Sequence, residues 1–203
     1  MTMVIAFTGT IGAVICGDRR EMRFYEGGDS ETLEYELYNG IIRTDSELIK
    51  RSADLGVRIE IRDNKEKIFT SGNILVGTVT SHSAETERQR RMYVAPGRYL
   101  IAEIVDGKVR ITETGESAFL VLGNAIAKKI SGEVIGRAKR PKRLSDAVRV
   151  LIQVMEFTSQ KTASVSHAYD MIQIPPLPEG RSPRGSLYEA LEQDMKQNHW
   201  RML

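Results

Sequence analysis

The chain opens MTMVIAFTGTIGAVICGD, and these eighteen residues restrict its fold more than any other stretch. Two short apolar runs, Met3 to Phe7 and Ala13 to Gly17, flank a turn-forming Thr8-Gly9-Thr10-Ile11-Gly12 segment. Apolar runs of this length around a glycine-bearing turn read as a β-hairpin. The hairpin starts at Thr2 and ends at Asp18, sixteen residues later, so a hydroxyl residue and a carboxylate are brought to one end. With Met1 removed, Thr2 carries a hydroxyl and a free α-amine on the same residue. An unperturbed α-amine has a pKa of about 7.7–8.0, so its neutral fraction can act as base to that hydroxyl. Thr2 is therefore a candidate nucleophile and base. A threonine also suits an ordinary strand start, and an aspartate an ordinary turn, so both readings stand on the hairpin alone.

The rest of the chain fits one enzyme-sized core. Its 203 residues, 41% of them hydrophobic, suffice for a single sizeable interior. A net charge of +2 with 28% charged residues describes a mixed surface, not a dedicated polyanion binder. The basic run Arg137 to Arg143 has no interleaved aromatics, so it reads as a solvated interhelix loop and no nucleic-acid partner is expected. The lone Cys16 sits in the apolar second strand and reads as a buried thiol. His82 and His167 have no partner at metal-ligand spacing, so neither a metal nor another cofactor is expected. No apolar run approaches a membrane span and no export signal precedes the hairpin, which predicts a cytoplasmic protein. The sequence specifies no oligomeric state.

Along the chain, residues 19–25 alternate as a strand. Residues 26–66 read as an α/β insertion: a helix from Ser30 to Tyr38, a second helix started by Thr44-Asp45-Ser46-Glu47, and a strand at Val57 to Ile61. Two strands follow around Ser71-Gly72-Asn73. Residues 82–92 (HSAETERQRRM) read as a solvated polar loop. Asp106-Gly107 marks a further hairpin, Glu116 to Leu122 a strand, Ala125 to about Ile130 a helix, and Arg143 to about Gln160 a second helix. A last strand ends at Ile174. The predicted units are a body of residues 1–174 and a tail of residues 175–203, a proline-rich linker carrying a short helix with Leu187, Ala190, Leu191 and Met195 on one face.

The opening run Ile11-Gly12-Ala13-Val14-Ile15-Cys16-Gly17-Asp18-Arg19-Arg20 resembles the start of a proteasome β-subunit, in which a mature N-terminal Thr begins a strand. The run from Lys67 to Ser81 resembles that family's next hairpin, with Lys67 at the position of the lysine whose ammonium sits near the nucleophile. The body, through GAVICGDRRE, the ELYNGIIRTDSELIKRSADLGVRIEIRD insertion, VAPGRYLIAEI and KTASVSHAYDMIQ, resembles one branch of that superfamily, the archaeal connectases. The resemblance implies an α+β fold, the four-layer αββα N-terminal-nucleophile sandwich with an α/β insertion. It implies Thr2, Asp18 and Lys67 as catalytic residues, with Ser81 at the oxyanion hole and Ser164 and Asn124 in support. It implies a transpeptidase or protein ligase that cleaves a recognition sequence in a partner protein, holds the fragment on Thr2 as an amide and passes it to another amine. The implied substrate class is a peptide or protein, in this family a methyltransferase subunit of methanogenesis. A simple proteasome-like threonine protease and an inactive binding module are the alternatives. The insertion, residues 26–66, is expected to carry substrate specificity.

Overall fold

The computed structural model describes residues 3–25, 27–82, 87–176 and 183–203. In chain order its elements are β1 (Val4–Gly9), β2 (Gly12–Asp18), β3 (Glu21–Phe24), α1 (Ser30–Tyr38), α2 (Asp45–Asp54), β4 (Ile59–Arg62), β5 (Ile68–Ser71) and β6 (Ile74–His82). There follow β7 (Glu87–Ala95), β8 (Arg98–Val105), β9 (Lys108–Gly115), β10 (Ala118–Leu122), α3 (Ala125–Arg137), α4 (Leu144–Ser159), β11 (Tyr169–Ile174), α5 (Pro183–Asn198) and β12 (Arg201–Met202).

The opening hairpin forms as its spacing predicts. Val4 pairs with Gly17, Phe7 with Val14 and Gly9 with Gly12, leaving Thr10-Ile11 as the turn, and the Asp18 N–H closes onto the Met3 carbonyl at 3.1 Å. Both strands are buried on both faces, which is why they read as continuous apolar runs rather than as an alternation. They are the centre of a four-stranded sheet of order β10-β1-β2-β11. On one face Met3, Ile5, Phe7, Val14 and Cys16 pack against α3 and α4. On the other, Val4, Ala6, Ala13 and Ile15 meet Leu75, Val79, Met92 and Val94 of a six-stranded sheet, ordered β12-β9-β8-β7-β6-β5. The outer face of that second sheet is covered by α5 through Leu187, Ala190 and Leu191, with Met195 beside them. The layers are therefore αββα, the N-terminal-nucleophile sandwich.

The insertion is a small body of its own. Leu33, Leu37, Ile42, Leu48 and Val57 form its core, and Ala163 of the main body completes it. The strand of the insertion pairs with the residues just before it: β3 and β4 form a two-stranded ribbon, Glu21 opposite Arg62. Helix α2 starts on the capping box that Thr44 and Glu47 predict.

Two expectations fail. Most of the polar stretch 82–92 is not a loop: Glu87 to Met92 lie in β7, paired from end to end with β6, while residues 83–86 lie outside the described residues. The first half of β7 runs where neither face is fully covered, so it lacks the apolar alternation by which strands are read. Helix α3 continues to Arg137, past the expected stop near Ile130. Ser131-Gly132 and Gly136 are weak helix formers, but Val134, Ile135 and Ala138 beyond them pack against the core, so tertiary packing carries the helix on. Among the described residues no helix is long and apolar enough to cross a membrane.

Candidate active site

Strand β2 ends on Asp18, and the hairpin register sets it against Met3 at the start of the chain. The Asp18 carboxylate is fully buried and saturated with donors. Oδ2 accepts from the Met3 N–H at 2.6 Å and faces Lys67 Nζ at 2.9 Å. Oδ1 accepts from the Arg20 N–H at 2.8 Å and the Ser166 N–H at 3.4 Å. Lys67, just before β5, has only 6% of its side chain exposed, and its ammonium also donates to the Arg20 carbonyl at 2.7 Å. Burial pulls the Lys67 ammonium down to about 8, against the opposing pull of Asp18 and, more weakly, Asp63. Burial and a carboxylate thus pull this lysine in opposite directions at the edge of a cleft.

Gly17 lets this pair form. A Cβ at Gly17 would lie 2.9 Å from a methyl of Ile68 and 3.3 Å from Lys67 Cβ. Its absence lets the end of β2 and the start of β5 approach closely across the two sheets.

The remaining anticipated residues fall into two places. Asn124 caps α3 through Oδ1 to the Ala127 N–H at 2.9 Å and donates from Nδ2 to Ser164 Oγ at 2.8 Å, both residues being buried. Ser164 also pairs with the Thr162 hydroxyl at 2.9 Å. The Thr162–Ser166 segment thus runs from the α3 cap to Asp18, which the Ser166 N–H reaches. Ser81, on β6, lies in the wall of the same cleft as Lys67, and its hydroxyl donates to the Arg88 carbonyl at 3.4 Å. Thr2 lies outside the described residues. The amide nitrogen that Asp18 holds, that of Met3, is the one immediately following it in the chain.

Sequence reasoning missed Arg20 as a site residue. Its side chain is 4% exposed, and all five guanidinium N–H groups are used. Two bonds go to Asp45 (2.5 and 3.0 Å), two to Asp63 (both 2.9 Å) and one to the Ala163 carbonyl (2.6 Å). Burial alone would lower its pKa, but Asp63 and Asp45 outweigh this and raise it. The only sequence signal was an arginine two places after the carboxylate. Asp45 looked like any acidic residue in a first helical turn.

A cleft of about 980 Å³ opens beside this cluster, between the insertion and the edge of the six-stranded sheet. Arg20, Lys67, Thr78 and Ser81 line it from the body, and Met22, Phe24, Tyr25, Glu34 and Tyr38 from the insertion and its ribbon. Its wall is mixed apolar and charged. Cys16 lies under the sheet with its thiol pushed up to about 12 by burial, so it stays a packing residue. Among the described residues no cluster of three His, Cys, Asp or Glu side chains is placed to hold a metal ion.

No curated protein is a significant sequence match. Among solved structures, the chain is similar to Anbu from Hyphomicrobium sp. strain MC1, at 12% identity and TM-score 0.48, with 98% of this chain and 97% of that one covered. It is also similar to Anbu (ancestral beta-subunit) from Yersinia bercovieri, at 9% identity and TM-score 0.49, covering 98% and 96%. Thiobacillus denitrificans BPH in complex with epoxomicin is 13% identical with a TM-score of 0.44, covering 87% and 100%. The family described as "Connectase MJ0548-like, N-terminal domain" matches residues 1–196, a span that takes in the sandwich, the insertion, the linker and most of α5. The chain belongs to the connectase family.

Proposed function

We propose that this protein is an N-terminal threonine transpeptidase that joins polypeptides. Membership of the family supports a proteasome-like protease or ligase kind of activity. The observation that carries the finer reading is the buried Asp18–Lys67 pair, which holds the Met3 N–H at the head of β1 and borders the cleft.

In this reading, removal of Met1 frees the Thr2 amine. The Thr2 hydroxyl gives its proton to that amine and attacks a substrate carbonyl; the leaving amine departs with a proton, and an ester remains. The α-amine then attacks the ester through a five-membered ring, returning the hydroxyl and leaving the acyl group as an amide. One amide has replaced another, so the exchange is close to energy-neutral and reverses onto a new amine. Asp18 and the Lys67 ammonium fix the start of the chain and favour the deprotonated oxygen. Ser81 is proposed to supply an oxyanion donor, with Ser164 and Asn124 supporting the 162–166 segment. The substrate is a peptide or protein, and the family resemblance extends the proposal to a methyltransferase subunit of methanogenesis.

The test is substitution at position 2 in protein whose intact mass shows that Met1 is gone. Thr2→Ser is expected to retain joining of two peptides that carry the family's recognition sequence, and Thr2→Ala to abolish it with the fold unchanged. Joining by Thr2→Ala, or by protein that keeps Met1, would exclude this mechanism.

A further inference from the structure

Arg20 touches both halves of the Asp18–Lys67 pair and also ties the insertion to the body. Its backbone N–H holds Asp18 Oδ1 and its carbonyl receives the Lys67 ammonium. Its guanidinium is forked onto two carboxylates of the insertion, Asp45 at the first turn of α2 and Asp63 after β4. It further donates to Ala163, in the segment whose Ser166 N–H reaches Asp18. We infer that Arg20 is a positioning residue through which the insertion sets the geometry of the Asp18–Lys67 pair, so that strain on the insertion from a bound polypeptide is felt at the reacting end of the chain.

A guanidinium with all five N–H groups bonded in two forks and a carbonyl contact has no free rotamer, so its main chain moves with Asp45 and Asp63. The insertion and the β3–β4 ribbon also line one side of the cleft, through Glu34 and Tyr38 and through Met22 and Phe24. A polypeptide lying there pushes on α1 and the β3–β4 ribbon, and Arg20 sits directly before β3. Among the described residues, the charged groups that act on Lys67 are Asp18 from β2, Asp63 from the end of the insertion, and Arg20 itself. Asp45 bonds to the Arg20 guanidinium and, among the described residues, forms no ion pair with Lys67, which makes Asp45 the residue to change.

The inference rests on reading Asp18 and Lys67 as reaction machinery, so its test has one arm that needs no substrate. Asp45 is half exposed, and α2 keeps its Thr44–Glu47 capping box without it, so Asp45→Asn is expected to fold. In protein carrying 13Cε-lysine, with the Lys67 signal assigned by its loss in Lys67→Arg, the titration midpoint of Lys67 is compared between wild type and Asp45→Asn. Loss of the Asp45 charge leaves Arg20 less compensated, and the midpoint is expected to fall by roughly 0.5 pH unit. In peptide joining, Asp45→Asn is expected to lower kcat about tenfold with KM changed less than threefold, and Asp45→Glu to recover most of the loss. Arg20→Lys, which keeps the charge but not the forks, is expected to resemble Asp45→Asn in kcat. A Lys67 midpoint unmoved in Asp45→Asn overturns the inference, whether or not kcat falls and whether or not the protein proves to be a ligase. A midpoint that moves in a protein that joins no peptides sustains the coupling and leaves only the function reading to fail.

Discussion

The Lys67 ammonium and the Asp18 carboxylate meet at 2.9 Å inside the protein, the carboxylate side chain fully buried and the lysine 6% exposed. A buried pair of this kind is weak evidence of stabilisation, because desolvation offsets the attraction.

Lys67→Met removes an ammonium that burial already disfavours and leaves Asp18 its Met3, Arg20 and Ser166 N–H donors, so its expected cost is small, about 1 kcal/mol or less. Asp18→Asn is expected to cost more, because its amide turns a donor toward N–H groups that the carboxylate accepts, and the loss in the double variant is expected to differ from the sum of the two. Urea unfolding of the two single variants and the double variant measures the coupling. Additive losses, within about 0.5 kcal/mol, would mean that the two side chains do not act as a pair.

The pH dependence of stability follows from Lys67. Its pKa is drawn by burial from the ordinary 10.5 to about 8 in the folded protein. Between these values the unfolded chain binds a proton that folded Lys67 has lost, so stability rises with pH; below about 8 both states are protonated and the full cost of burying the charge is felt. The stability of wild type relative to Lys67→Met should accordingly be greater at pH 9.5 than at pH 7.5. A difference that is flat or smaller at the higher pH would contradict a depressed lysine.

Gly17→Ala should disturb the site without touching a polar group. The added methyl meets Ile68 at 2.9 Å and crowds Lys67. Overpacking of this kind costs about 1–3 kcal/mol. Activity is expected to fall together with stability, because the pair cannot close at its native distance. Full activity in a destabilised Gly17→Ala protein would show that the close approach serves packing alone.

Helix α3 offers a prediction of the opposite sign. A Cβ at Gly132 or Gly136 meets nothing within 4 Å, and both residues are exposed in helical backbone. Each glycine-to-alanine change should stabilise by about 0.4–1 kcal/mol. Destabilisation by either would place the helix end nearer to Ile130, as its sequence suggests.

The site was legible to the extent that it follows from strand register. Met3 and Asp18 face each other because β1 and β2 are joined by a tight turn, and that turn is written in Gly9 and Gly12. Lys67 could be named only through a resemblance, since nothing local marks it off from Lys65. The Arg20 clamp was hidden because its partners are far away in sequence and each is unremarkable by itself: Asp45 begins a helix and Asp63 ends a strand. The structure also changes how the insertion can be tested. Replacing residues 27–64 with a short bridge would remove Asp45 and Asp63 and leave Arg20 buried without partners. Loss of activity in that variant would therefore not identify a substrate-binding role. Strand β7 was missed because its charged half lies beyond the covered part of the sheet, where periodicity carries no information.

The central claim is that Thr2 stores the acyl group on nitrogen rather than on oxygen, and one measurement addresses it directly. Protein lacking Met1 is incubated with a peptide carrying the family's recognition sequence, and the covalent adduct is followed by intact mass before and after hydroxylamine. The account predicts an adduct that survives hydroxylamine, as an amide does, and that is discharged by a second peptide's amine to give a joined product with little free acid. An adduct cleaved by hydroxylamine, or free acid as the main product, would contradict it and leave a threonine protease.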